Sequence, residues 1–182
     1  MMFKKKIAIL PVLFFLLILS TFLYLLSIDR NPSEVPSALL DKKIPMFKTS
    51  TLLAKKIFIS SNELKDKISI VNFFATWCKP CRDEHPYIKQ LSNIKNIKTI
   101  GINYKDNNNK TKKWLKKFGN PYSVIAIDKK GTIAIDWGVY GIPETFIIDS
   151  SGIIKYRHVG PINKKIYKKI ILIIDELQNE SR

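Results

Sequence analysis

The sequence predicts an α/β domain with a mixed central sheet flanked by helices, preceded by one N-terminal transmembrane helix. Three observations carry this. Residues 7–27 contain no charged side chain. Strand-length apolar runs then alternate with segments of helical period up to residue 177. Finally, two cysteines, Cys78 and Cys81, stand two residues apart where the strongest apolar run gives way to a helix.

The N-terminal segment comes first. As a helix, residues 7–27 would extend about 31 Å, close to the hydrocarbon thickness of a bilayer. Lys4, Lys5 and Lys6 precede them, and Asp29 and Arg30 follow. The length of the run, and the absence of a small-residue cleavage pattern near residues 21–26, favour a retained anchor over a cleaved signal peptide. The lysine cluster holds residues 1–6 in the cytoplasm and sends the rest of the chain across. Both cysteines then lie in an extracytoplasmic space.

Residues 28–50, with Asn31, Pro32, Ser33, Pro36 and Pro45, read as a linker, and residues 51–182 as the folded domain. Residues 56–60 fit a short strand and 61–65 a helical turn. Residues 68–74 are almost continuously apolar, the pattern of a central strand covered on both faces. Residues 79–94 carry Tyr87, Ile88, Leu91 and Ile94 at helical spacing. A second buried strand follows at 99–103, then a helix at 108–118 with Trp114, Leu115 and Phe118 inward. Residues 123–127 make a third strand, ending in a turn at Lys129, Lys130 and Gly131. Residues 144–149 and 152–159 form a hairpin around Ser150, Ser151 and Gly152. A helix over 163–177, with Ile166, Ile170, Ile173 and Ile174 on one face, closes the domain. Strands alternating with helices imply parallel pairing, and the hairpin makes the sheet mixed.

The net charge of +16 raises the question of nucleic acid. Only Arg30, Arg82, Arg157 and Arg182 are arginines among 31 basic residues, and the lysines are scattered. Base readers depend on the arginine fork, and no supporting motif accompanies the charge, so no nucleic-acid role is assigned.

Chemistry concentrates at Trp77, Cys78, Lys79, Pro80 and Cys81. At a helix start, this spacing lets the two sulfurs bond across the first turn. Cys78 faces the unpaired N–H groups and the positive end of the helix dipole, which stabilise a thiolate and make it the attacking nucleophile. Cys81, one turn inside, resolves the mixed disulfide. Pro80 is tolerated because the first turn needs no N–H donor. A zinc site would need His85 and His158, the only histidines, at no recognised spacing. No metal or other cofactor is therefore expected beyond a redox-active Cys78–Cys81 disulfide.

The stretch from Asn72 to Cys81 resembles the active-site segment of the thioredoxin superfamily, and the likeness runs from residue 68 to 177. Pro86 matches the proline that kinks the active-site helix. Gly141, Ile142 and Pro143 resemble the cis-proline loop. The resemblance implies that Pro143 is cis and that the Ile142 backbone pairs with the partner chain. Residues 138–149, Gly-Val-Tyr-Gly-Ile-Pro-Glu-Thr-Phe-Ile-Ile-Asp, are similar to a segment of the CcmG/DsbE family. Residues 82–85, 103–106, 119–122 and 152–158 are similar to that family too. It consists of membrane-anchored thiol–disulfide interchange proteins of cytochrome c maturation. The resemblance implies a periplasmic domain on the inner membrane that reduces apocytochrome c or an assembly thiol protein. It also implies electrons arriving from a membrane thiol reductant.

The chain departs from cytosolic thioredoxins at Asn72, which stands where they carry a buried aspartate. By resemblance, Glu84 and Glu144 shape the redox site. They are expected to disfavour the Cys78 thiolate, making the protein more reducing, and one of them to relay a proton to or from Cys81. The alternative for Glu84 is a solvated helix charge. Lys79 opposes them by favouring the thiolate. Trp77 is expected to cover Cys78 and supply contact surface, Trp114 and Trp137 to be core, and His85 to be a surface residue without chemistry. Two competing functions stay open: a general oxidant that introduces disulfides, and a non-catalytic assembly module binding through the cis-proline groove.

Overall fold

A computed structural model describes residues 2–27, 38–53 and 58–180. The chain divides into two units, residues 1–32 and 33–182. In the first, helix α1 (Met2–Ser27) is long and apolar enough to cross a membrane, with a mean hydropathy of 2.3 over Leu10–Ser27. Its serine and threonine hydroxyls are satisfied internally: Ser20, Thr21 and Ser27 donate to the carbonyls of Leu17, Leu17 and Leu23. That arrangement is what a lipid environment requires of a polar side chain on a helix.

The second unit is built on a five-stranded mixed sheet. Its strands are β3 (Ile68–Phe74), β4 (Ile97–Tyr104), β5 (Val124–Asp128), β6 (Glu144–Ile148) and β7 (Ile154–Val159). The spatial order is β5-β4-β3-β6-β7, with β5, β4 and β3 parallel and β6 and β7 antiparallel. All seven residues of β3 are buried, which its apolar run anticipates. Side chains alternate across it. Ile68, Ile70 and Phe74 pack with α2 (Lys79–Leu91), α3 (Asn108–Phe118) and α5 (Lys164–Glu180). Val71 and Phe73 face Trp137, Phe146 and the short helix α4 (Thr132–Asp136) on the other side. Asn107 caps α3 by accepting from the Asn109 and Lys110 N–H groups. Asn163 does the same for α5, accepting from Lys165 and Ile166.

Two sequence expectations need correction, and a third is described only in part. The expected linker extends to residue 50, yet Ile44 and Phe47 are buried in the core. Residues 41–44 hydrogen-bond to Gly152 and Ile154, and β1 (Lys48–Ser50) pairs with β2 (Phe58–Ser60). Two apolar side chains separated by Pro45 and Met46 and flanked by lysines give no periodic signal, although they close one face of the sheet. The strand expected over 56–60 is described at 58–60; residues 56 and 57 lie outside the described residues. After β5, the turn expected at Lys129, Lys130 and Gly131 leads directly into α4, which was not anticipated. It is five residues long, too short to show a helical period, and is held by the Asp128 carboxylate accepting from the Ala134 N–H.

Gly101 lies opposite Asn72 in the β3–β4 pairing. A Cβ there would sit 2.8 Å from the Phe74 ring and 3.0 Å from the Tyr122 ring, which stack at 4.7 Å. Gly101→Ala is therefore expected to lower stability by about 1–3 kcal/mol, read as a reduced urea midpoint at unchanged slope. A midpoint equal to that of the parent would mean that the ring pair can move aside.

Candidate active site

The site begins where β3 ends. Residues 75–78 turn the chain into α2, and Asp106 pins that turn by accepting from the Thr76 N–H at 2.6 Å and the Thr76 hydroxyl at 3.0 Å. Cys78 caps α2, its sulfur accepting from the Cys81 N–H at 3.1 Å. Cys78 and Cys81 are joined in a disulfide, and both belong to the core layer that contains Ile70 and Phe74. Pro80 occupies the first turn of α2, where its missing N–H costs nothing. Trp77 is 60% exposed, with its indole N–H donating to the Lys105 carbonyl. It offers a contact surface beside the disulfide.

The loop before β6 completes the site. The Ile142–Pro143 peptide is cis, and the Ile142 carbonyl oxygen lies 3.7 Å from the Cys78 sulfur. The structure thus brings Cys78, Cys81, Ile142 and Pro143 together, with Glu84 and Glu144 on the elements that flank them.

Glu84 is not a solvated helix charge. It is 1% exposed, with Oε1 accepting from the Asn72 side-chain amide at 2.8 Å and Oε2 from the Ile162 N–H at 2.9 Å. Asn72 also donates to Thr145 Oγ1 and accepts from the Tyr122 hydroxyl at 2.7 Å. Burial outweighs the two hydrogen bonds and pushes the Glu84 carboxyl up to about 8. Burial, with Glu84 beside it, likewise raises the Tyr122 phenol. Asn72 takes no proton itself but links β3 to α2, to β6 and to Tyr122 just before β5.

Glu144 is wholly buried against Arg157, whose Nη2 lies 2.7 Å and Nε 2.8 Å from Glu144 Oε2. Desolvation raises its carboxyl, and Arg157 opposes that shift. The expectation that two negative charges bear on Cys78 is corrected accordingly. Near neutral pH Glu84 is mostly protonated, and the charge of Glu144 is compensated. Lys79 is engaged with Asp83 at 3.0 Å in an exposed pair, so it too contributes little net field.

His85 is also corrected. It is buried, its Nε2 lies 3.0 Å from the Gly119 carbonyl oxygen, and its ring packs edge-on to Trp114. Burial lowers its ionisation from the usual histidine value. Sequence reasoning missed Arg157, Thr145, Tyr122 and Asp106 as parts of the site. Arg157 had a usable signal, being one of four arginines in a chain that otherwise uses lysine. Among the described residues, no group of three or more His, Cys, Asp or Glu side chains is gathered to hold a metal.

The profile of the Redoxin family matches residues 40–171. The chain is 40% identical over 172 residues to the thiol:disulfide interchange protein DsbE of Escherichia coli (strain K12), covering 92% of each chain. It is 42% identical over 132 residues to the thiol:disulfide interchange protein CycY of Rhizobium leguminosarum bv. viciae, covering 72% of this chain and 71% of the relative. Among solved structures, a DsbE-type thiol:disulfide interchange protein from Chlorobium tepidum superposes with a TM-score of 0.64 at 25% identity, over 74% of this chain and 99% of that one. A DsbF homologue from Corynebacterium diphtheriae, at 21% identity and a TM-score of 0.67 over 81% and 97% of the two chains, shares the fold.

The raised Glu84 carboxyl has a consequence for stability. The folded chain holds a proton at Glu84 that the unfolded chain releases near the ordinary value of 4.5. That contribution is full below about 4.5 and is lost as the pH rises toward about 8. Glu84→Gln removes this dependence, while His85 and His158 titrate alike in both proteins. Relative to Glu84→Gln, the parent is expected to lose on the order of 3 kcal/mol between pH 5 and pH 9 in urea titrations. Parallel profiles would mean that Glu84 ionises at an ordinary pH.

Proposed function

We propose a specific role for this chain from one premise: it belongs to the Redoxin family and, within it, to the DsbE-type thiol:disulfide interchange proteins. It is a thiol–disulfide oxidoreductase, and its proposed task is to reduce disulfides of apocytochrome c, or of an assembly thiol protein, during cytochrome c maturation. The observation that carries the reading is the buried Cys78–Cys81 pair with the Ile142 carbonyl 3.7 Å from the Cys78 sulfur. A backbone acceptor beside the reactive sulfur suits an extended partner chain laid across the disulfide.

The steps follow from the geometry. In the reduced protein the Cys78 thiolate, stabilised by the Cys81 N–H, attacks one sulfur of the partner disulfide and releases the other as a thiolate. The Cys81 thiolate then attacks Cys78 in the mixed disulfide, freeing the partner's second thiol. Cys81 gives up a proton to become that thiolate; the ionised fraction of Glu84, one turn beyond Cys81 on α2, would accept it, and the protonated carboxyl would return it when the internal disulfide is reduced. The resulting internal disulfide is reduced again by a membrane thiol donor.

A reductant is favoured over an oxidant because little at this site holds a thiolate charge. The sulfurs are desolvated and Lys79 is paired with Asp83, which leaves the start of α2 as the main support. Helix α1 fits a single-pass anchor, and Lys4, Lys5 and Lys6 near its N-terminal end support, by the positive-inside tendency, a domain on the periplasmic side of the inner membrane.

The redox potential, equilibrated against glutathione, tests this directly. A value near about −270 mV or lower is expected. A value near about −120 mV would replace the reductant by a disulfide-introducing oxidant. Cys81→Ala should accumulate a mixed disulfide through Cys78, and the trapped chain identifies the partner. A Cys78→Ser chain that kept full activity in cells would instead indicate a non-catalytic assembly module.

A further inference from the structure

We propose that Arg157 is a positioning residue of the exchange reaction: from β7 it ties together the two ends of the loop that receives the partner's backbone. The inference rests on the reading that residues 138–143 form that receiving loop. At the first end, Arg157 Nη2 donates to the Gly138 carbonyl at 2.8 Å. At the second, Nε and Nη2 hold Glu144 Oε2, the first residue of β6. Glu144 reaches back along the loop, with Oε1 accepting from the Tyr140 N–H at 3.3 Å. The guanidinium also lies over the rings of Tyr140 and Phe146, with centroids at 5.4 and 5.5 Å.

The surrounding anchors explain why one side chain matters so much. The start of the loop is fixed to α4, the Gly138 and Val139 N–H groups donating to Ile135 and Ala134. Its end is fixed where the Gly160 N–H donates to the Pro143 carbonyl. Between these points Tyr140 is 67% exposed and Ile142 is only half-buried. The spacing of the two anchored ends sets where the Ile142 carbonyl stands relative to the Cys78 sulfur, and Arg157 is the group that bridges them. Only a planar fork contacts a carbonyl and a carboxylate together while lying flat on aromatic rings. Lysine reaches one of these partners at a time.

A structural ion pair alone would alter stability. A positioning role alters exchange with extended substrates and leaves small disulfides untouched. The full-length chain in detergent, reduced beforehand, is mixed in single turnovers with two oxidants. One is a disulfide-bonded peptide with several residues on each side of its cysteines; the other is hydroxyethyl disulfide, which has no backbone. For Arg157→Gln, the half-saturating peptide concentration is expected to rise at least about tenfold with the limiting rate within about twofold. The hydroxyethyl disulfide rate is little changed, whatever shift the Cys78–Cys81 potential takes from the loss of the charge facing Glu144. Arg157→Lys falls between the two and carries the test alone if Arg157→Gln does not fold.

The double variant Arg157→Gln/Glu144→Gln removes any uncompensated buried carboxylate, and it should remain impaired because the tie to Gly138 is still lost. Full recovery in that double variant, equal slowing with both oxidants, or an unchanged peptide concentration in Arg157→Lys would each overturn the proposal. If the parent itself shows no saturation with the peptide and no advantage over hydroxyethyl disulfide, the receiving-loop reading fails, and this proposal fails with it. Peptide preference in the parent that survives in the Arg157 variants overturns the role of Arg157 alone.

Discussion

A carboxyl group buried one turn from a buried disulfide constrains much of this domain. Taking Glu84 out of water is costly, and the cost is limited by protonation and by two directed donors. One donor is the Asn72 amide on the central strand; the other is the Ile162 N–H just before α5. Neither works unless β3, α2 and the approach to α5 hold their positions. Asn72 is itself fixed by Thr145 on β6 and by the Tyr122 hydroxyl. The glycine at 101 leaves room for the Tyr122 ring to lie on Phe74 and reach that amide. This one buried carboxyl therefore sets demands on β3, β6, α2, the approach to α5 and the glycine at 101.

How far this was legible from the sequence depends on the range of each interaction. Strand β3 and helix α3 were readable to the residue, because an uninterrupted apolar run and a capped amphipathic stretch are local signals. The cysteine pair was readable for the same reason, since spacing and placement at a helix start are properties of a few consecutive residues. The packing of Ile44 and Phe47 onto the sheet was not, because nothing in the surrounding lysines and Pro45 marks them as core. His85 shows a similar limit. Its helix is plainly amphipathic, but the side that receives Trp114 and Gly119 is decided by where α3 docks. The family resemblance at Glu84 and Glu144 implied a shaped redox site. Their charge states were out of reach, because burial pushes both carboxyls up and the charge opposing that shift at Glu144 comes from a residue on a different strand.

That last point changes the account of reactivity. Two acids next to a cysteine suggest repulsion of its thiolate, a through-space effect of like charge. The structure leaves little charge to act: Glu84 is largely neutral near pH 7, Arg157 faces Glu144, and Asp83 faces Lys79. What remains is the competition between the Cys81 N–H, which favours a thiolate at Cys78, and the apolar layer around both sulfurs, which disfavours it. A chain with a net charge of +16 thus builds a redox site that is close to neutral.

Neutrality of this kind gives Glu84 a distinct part among the charged groups of the site. Arg157 and Glu144 face one another in place and hold a loop, and their value is geometric. Glu84 has no cationic partner in its hydrogen-bond set, only an amide and a backbone N–H. Both donors serve the ionised form, while burial favours the protonated one, and the balance falls near 8. A group poised there changes protonation for little free energy when a neighbouring sulfur gains or loses charge, because each unit of pKa is only about 1.4 kcal/mol. The same burial that makes Glu84 costly to the fold is therefore what makes it suitable for moving a proton beside Cys81.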